Sequence, residues 1–327
     1  MRAIICTEYG PPEKLRCGAM PDPVCAAGQV LVRVHAAGVN FVDSLLISGQ
    51  YQIRIPPPFV PGGDCAGTVL ATGAGVSEFA IGDRVLASPG IGAFAEQVAL
   101  PAAQVRRMPG NMDFAGGAVF LQPSTTAYFA LHDRAAMRAG ETLLVLGAAG
   151  GTGAAAIQVG KALGAHVIAA ASSAEKLAAA SALGADVLID YAREDLRAAL
   201  KTATGGRGVD LVFDPVGGEL AETALRSCAE NARYLVIGFA SGDIPRVPLN
   251  LPLLKSCQIV GVDWGGFSMR HPPQARALVD ATLKLYADGL LQDPPLVRYP
   301  LQATAQAIAD LAARRIAGRC VIEISSG

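Results

Sequence analysis

Gly147, Gly150, Gly151 and Gly153 crowd into one short turn, and glycine at that density suits one chemical task. Without side chains, backbone N–H groups can approach a phosphate closely. The run Leu143–Leu146 before the turn is continuously apolar and reads as a strand buried on both faces. The alanine-rich stretch Ala154–Gly164 after it reads as an amphipathic helix. Strand, glycine turn and helix together form the unit that seats a dinucleotide pyrophosphate, with the positive end of the helix facing the phosphates. Ala149, Gly150, Gly151, Thr152 and Gly153 are the candidate phosphate contacts.

The next strand, Ala165–Ala171, sharpens the choice of nucleotide. An NAD site carries Asp or Glu at the end of this strand, where it binds the ribose 2′-hydroxyl. Here the chain reads Ala171-Ser172-Ser173-Ala174-Glu175-Lys176. Small hydroxyls and a lysine bind a 2′-phosphate through hydrogen bonds and charge, whereas a carboxylate would repel it. Tyr191, after a third strand ending at Asp190, adds a hydroxyl. The expectation is NADPH, held at Ser172, Ser173, Lys176 and Tyr191. A competing reading has the two serines only capping a helix that starts near Ala174. It accounts for the serines but not for the missing acid.

These residues need elements to position them. The first third holds short strands and glycine-marked turns, with Gln29–Ala36 alternating polar and apolar as a half-buried strand does. From about Pro123 to Gly266, strands alternate with helices: Leu143–Leu146, Val167–Ala171, Val187–Ile189, Leu211–Phe213, Arg233–Ile237 and Gln258–Val262. That alternation predicts an α/β, doubly wound parallel sheet whose ligands lie at the carboxyl ends of the strands. Gly238, Phe239 and Trp264 follow such ends. Helices are expected near Gln274–Ala287 and Ala303–Arg315, then a last strand Arg319–Ile324 that returns to the first domain. The expected domains are 1–122 with 267–327, and 123–266.

Composition narrows the class. The 327 residues carry a net charge of −1, so no basic face for nucleic acid or an anionic membrane is expected. No apolar run reaches membrane-spanning length and no signal peptide opens the sequence. Seven cysteines lack any CxxC pair, which argues for reduced thiols in a cytoplasmic protein. His35, His132, His166 and His271 have no ligand-like spacing.

Several segments, in this order and spacing, resemble one family nearly end to end. They are Gly38-Val39-Asn40-Phe41-Val42-Asp43, Pro61-Gly62-Gly63-Asp64, Gly82-Asp83-Arg84-Val85, Gly92–Glu96, Thr126-Ala127-Tyr128, the Gly147–Gly153 turn, Gly205–Asp210 and Asp214–Gly218. The family is the zinc-free quinone oxidoreductase branch of the medium-chain dehydrogenase/reductase superfamily. The resemblance implies a mainly β, GroES-like catalytic domain beside the Rossmann domain. It also implies an enzyme that moves hydride from NADPH to a quinone or activated alkene. Zinc-dependent relatives place ligands where Asn40, Gly63 and Gln122 stand, and these three do not supply a zinc set. No metal is therefore expected.

The resemblance puts Asn40 beside the nicotinamide, where its amide donates to the acceptor oxygen or the cofactor ribose. Binding of local backbone in a turn is the competing role. Tyr51 lies in a loop that borders the substrate in the family, and its hydroxyl is the candidate proton or hydrogen-bond donor; a partly exposed loop aromatic is the competing role. Thr126 matches a residue near the nicotinamide ribose. Trp264 flanks the nicotinamide end or serves a subunit contact, since relatives pair the sheet edge near Cys257–Val262 in a homodimer. Two alternatives stay open: a 2-alkenal or enoyl double-bond reductase, and a non-catalytic NADPH-binding protein.

Overall fold

The computed structural model describes residues 1–313, 315–316 and 318–324. The chain forms two compact units, Met1–Gln122 with Asp293–Gly327, and Pro123–Gln292.

In the first unit, among the described residues, a seven-stranded sheet is built around the long strand Gln29–Val39. Val30, Val32 and Val34 alternate inward and lie in one core with Phe94, Leu100 and Ile322. Asp64–Thr72, Gln97–Pro101 and Arg319–Glu323 all pair with it antiparallel. In this register Gly38 pairs with Asp64 on one side, and Val39 pairs with Cys320 on the other. The head of the helix Phe41–Ile47 therefore emerges between the starts of two neighbouring strands, at Asp64 and Arg319.

The second unit holds, among its described residues, six parallel strands: Thr142–Leu146, His166–Ala171, Val187–Asp190, Val209–Asp214, Cys228–Val236 and Gln258–Gly261. Counted along the chain, they lie in the order third, second, first, fourth, fifth, sixth. This is the doubly wound order of a dinucleotide fold, whose switch point falls between the first and fourth strands. Leu143 and Val145 are as buried as Leu144 and Leu146, so both faces of the sheet are covered. The fold thus joins a GroES-like sheet unit to a Rossmann-type unit.

Element ends differ from the sequence reading in places. The helix expected at Ala303–Arg315 is Thr304–Ala312, and residue 314 lies outside the described residues. The strand expected to reach Ile324 ends at Glu323. The return to the first unit was expected at residue 267, yet the second unit runs to Gln292. Trp264–Arg270 and Pro272–Ala287 pack on one another, and the Gln158 side chain both donates to the Gln292 carbonyl and accepts from its N–H. No helix among the described residues is long and apolar enough to cross a membrane.

Candidate active site

At the switch point, the backbone of Gly147 takes φ 59° to turn out of the strand. A Cβ on Gly153 would stand 2.3 Å from the Gly147 carbonyl oxygen, so only glycine lets the helix start this close to the turn. The helix Gly151–Ala162 is capped by Gly150, which has no side chain to occupy the first amides. Ala149 and Gly150 lie in the turn, and Gly151, Thr152 and Gly153 form the first helical turn. The Ala148 N–H donates to the Ala170 carbonyl at 3.2 Å, tying the turn to the neighbouring strand.

At the end of that strand, Lys176 Nζ donates to Ser172 Oγ at 3.2 Å. Ser173 caps the helix Ala174–Ala182, accepting from the Lys176 N–H. The capping role therefore describes Ser173, while the Ser172 hydroxyl faces the lysine. The Tyr191 N–H donates to the Ala171 carbonyl at 3.1 Å, which brings Tyr191 to the same place. Ser172 and Lys176 thus form a hydroxyl–ammonium pair just past Ala171, whose partner on the neighbouring strand is Asp190.

The ends of the fourth and fifth strands are fixed by Asp214, a residue of the Asp214–Gly218 segment to which the sequence alone assigns no role. Buried Asp214 accepts from the Val216 and Gly217 N–H groups at 2.8 and 2.9 Å, and the Tyr234 hydroxyl donates to its other oxygen. Burial and Asp214 both push the Tyr234 phenol far above its ordinary range. The Asp214 carbonyl accepts from the Gly238 N–H at 3.3 Å, which positions Gly238 and Phe239. Trp264 heads the helix after the sixth strand, its ring 5.5 Å from Phe129 and 6.2 Å from Phe267. Thr126 is buried in the helix Leu121–Tyr128.

In the first unit the head of the helix Phe41–Ile47 carries a buried polar cluster. Asn40 Nδ2 donates to Asp64 Oδ2 at 3.2 Å, and Arg319 Nη2 donates to Asn40 Oδ1 at 3.2 Å. The same guanidinium nitrogen donates to the Val119 carbonyl at 2.9 Å. The Ser88 hydroxyl donates to Asp64 Oδ1 at 2.6 Å. The Asn40 N–H donates to Asp43 Oδ2 at 2.7 Å, while Asp43 Oδ1 finds no partner among the described residues. The Asn40 side chain thus binds two distant side chains rather than the local backbone alone.

Electrostatics follow from burial. Burial pushes Asp43 up to about 7, aided by the Asp64 charge and opposed by the Asn40 amide and, more weakly, by that of Gly62. Burial also raises Asp64, against the Ser88 hydroxyl, the Arg319 charge, and the Asn40 and Gln122 amides. Burial draws the Arg319 guanidinium down to about 10 against the pull of Asp64.

The positions expected to replace zinc ligands converge on Asp64: Asn40 through its side chain, Gln122 through its backbone, and Gly63 as its chain neighbour. Among the described residues, no group of three or more His, Cys, Asp or Glu is placed to hold a metal ion. Tyr51 is half-buried just past the tail of the helix that Asn40 heads, its N–H donating to the Leu45 carbonyl. Seven residues of helix, about 10 Å, separate the two.

The sequence matches two family patterns: "Alcohol dehydrogenase GroES-like domain" over residues 26–110 and "Zinc-binding dehydrogenase" over residues 151–281. The cow (Bos taurus) quinone oxidoreductase-like protein 2 is 36% identical over 324 residues, 99% of this chain and 92% of that protein. This chain belongs to the quinone oxidoreductase branch of the medium-chain dehydrogenase/reductase superfamily. Among solved members, a probable oxidoreductase from Mycobacterium abscessus is 37% identical, with a TM-score of 0.89 and coverage of 99% of this chain and 98% of that one. Escherichia coli quinone oxidoreductase complexed with NADPH is 28% identical, with a TM-score of 0.89 over 99% of this chain and 100% of that one. This branch member is accordingly an oxidoreductase with a nicotinamide-nucleotide fold.

Proposed function

We propose that this quinone oxidoreductase family member is an NADPH-dependent, zinc-independent reductase of quinones or activated alkenes. The observation that carries the reading is the Ser172–Lys176 contact beside Ala171 and Tyr191, where an NAD site would carry an acid. The NADPH bound by the solved Escherichia coli relative supports it. When bound, NADPH supplies the hydride.

The chain's own residues supply the rest. Amides of Gly151, Thr152 and Gly153 and the end of their helix hold the pyrophosphate, with Ala149 and Gly150 shaping the turn. Ser172, Ser173, Lys176 and Tyr191 hold the 2′-phosphate, while Thr126, Gly238, Phe239 and Trp264 line the nicotinamide half. Asn40 donates to the acceptor oxygen, stabilising the negative charge that develops there. Tyr51 supplies a second donor, and as a phenol it serves as an acid rather than a base at neutral pH.

With no metal to polarise it, the acceptor must already be electrophilic, which favours quinones and conjugated carbonyls. Free cysteines at all seven positions support a reducing compartment such as the cytoplasm. Leu249, Leu253 and Leu254, each 77% exposed near the edge strand Gln258–Gly261, support a homodimer. The test is an acceptor panel of quinones, enones and enoyl thioesters, followed by NADPH oxidation. Turnover with quinones or enones supports the reading. Turnover of enoyl thioesters alone identifies an enoyl reductase. NADPH binding without turnover of any acceptor identifies a binding protein.

A further inference from the structure

One buried amide, Asn40, is surrounded by two buried carboxylates and a buried guanidinium. Stability alone does not explain this arrangement. Removing charges from water is costly, and apolar residues of similar volume often serve a core as well or better. The inventory of donors and acceptors suggests another purpose. A guanidinium only donates, and an ionised carboxylate only accepts. Arg319 faces Asn40 Oδ1 and Asp64 faces Asn40 Nδ2, each at 3.2 Å. Turning the amide over would set oxygen against oxygen and NH2 against guanidinium, so a single orientation survives.

We propose that Asp64 and Arg319 form an orientation lock on Asn40, which leaves one Nδ2 hydrogen aimed at the acceptor oxygen. An amide nitrogen carries two hydrogens, and Asp64 accepts only one of them. Ser88 steadies Asp64 from its other oxygen, and Asp43 holds the Asn40 main chain through its N–H. Both the backbone and the side chain of Asn40 are therefore fixed before any acceptor arrives. Such preorganisation is what a donor to a developing oxyanion requires. Asp64 and Arg319 are positioning residues here, acting through Asn40. The inference rests on the reading of Asn40 as the acceptor's donor.

A double-mutant cycle separates the lock from a general structural role. Asp64→Asn keeps the shape but offers one carbonyl oxygen where Ser88, Asn40 and the Gln122 amide present three donors. In the otherwise unchanged enzyme it is expected to lower kcat about tenfold to a hundredfold, the scale of a small misplacement. NADPH affinity, measured directly by nucleotide fluorescence, is expected to stay unchanged. In an Asn40→Ala background the same substitution is expected to cost less than about twofold, because nothing remains to orient. An equal loss in both backgrounds overturns the lock and leaves the Asn40 reading standing. If Asn40→Ala alone leaves kcat unchanged, the Asn40 reading falls and the lock with it. Should Asp64→Asn fail to fold, Ser88→Ala enters the same cycle. Its expected loss of about threefold to tenfold must likewise vanish without Asn40.

Discussion

Asp43→Asn is expected to change how stability depends on pH. Asp43 is fully buried, its charge resisted by burial and by Asp64, with Cys320 and the Arg319-bound Asn40 close by. Its carboxyl is pushed from 3.8 up to about 7. The folded chain therefore keeps a proton that the unfolded chain loses, and stability falls as pH rises from about 4 to about 7. Three units correspond to about 4 kcal/mol, of which roughly two thirds accrues between about pH 5 and pH 8. An asparagine still accepts from the Asn40 N–H but carries no charge to bury. Relative to wild type, Asp43→Asn should thus gain about 2–3 kcal/mol on moving from pH 5 to pH 8. Urea unfolding at several pH values, followed by circular dichroism, reads this difference. Parallel pH profiles for the two proteins would mean that Asp43 does not titrate in this window, and the reasoning from burial would be refuted.

Lys176→Ala should weaken NADPH by about 1–3 kcal/mol, as for a charge-assisted hydrogen bond, and change NADH little; equal losses in a titration would remove the 2′-phosphate assignment. Gly153→Ala places a Cβ 2.3 Å from the Gly147 carbonyl. It should cost about 1–3 kcal/mol of stability through overpacking and weaken NADPH as well, with thermal unfolding and nucleotide titration as the checks. Tyr51→Phe should lose about 1 kcal/mol or more of transition-state stabilisation in kcat/KM if the hydroxyl donates to the acceptor. A silent Tyr51→Phe beside an impaired Tyr51→Ala would leave the ring as a wall only.

The nucleotide half of the fold was legible because its signals are local. The apolar run Leu143–Leu146, the glycines after it and the missing acid after Ala171 all lie within one strand–helix–strand stretch. The alternation of strands and helices then implied the parallel sheet. Asn40 was singled out by resemblance, but the cluster around it was not. Arg319 reaches Asn40 only because Cys320 pairs with Val39, a register that joins distant parts of the chain. Asp64 arrives by the pairing of its strand start with Gly38. Asp43 was readable in principle, since an acid three residues after an N-cap asparagine is a helix-start pattern. The boundary at residue 267 differed because an amphipathic helix shows that it buries a face, not which core receives it. Trp264–Arg270 joins the second unit through the rings of Trp264 and Phe267 against Phe129, and Gln158 holds the Gln292 backbone after Pro272–Ala287; such contacts leave no local trace.

The proposed function stands on hydride transfer from NADPH to an electrophilic acceptor without a metal. The most direct measurement takes one enzyme sample, determines its metal content, treats it with a strong chelator, and follows NADPH oxidation with a quinone and with an enone. The expected result is no stoichiometric zinc, a rate unchanged by the chelator, and one NADPH consumed for each acceptor reduced by two electrons. Zinc bound at one per subunit and lost together with activity would contradict it, as would oxidation of simple alcohols in place of quinone or enone reduction.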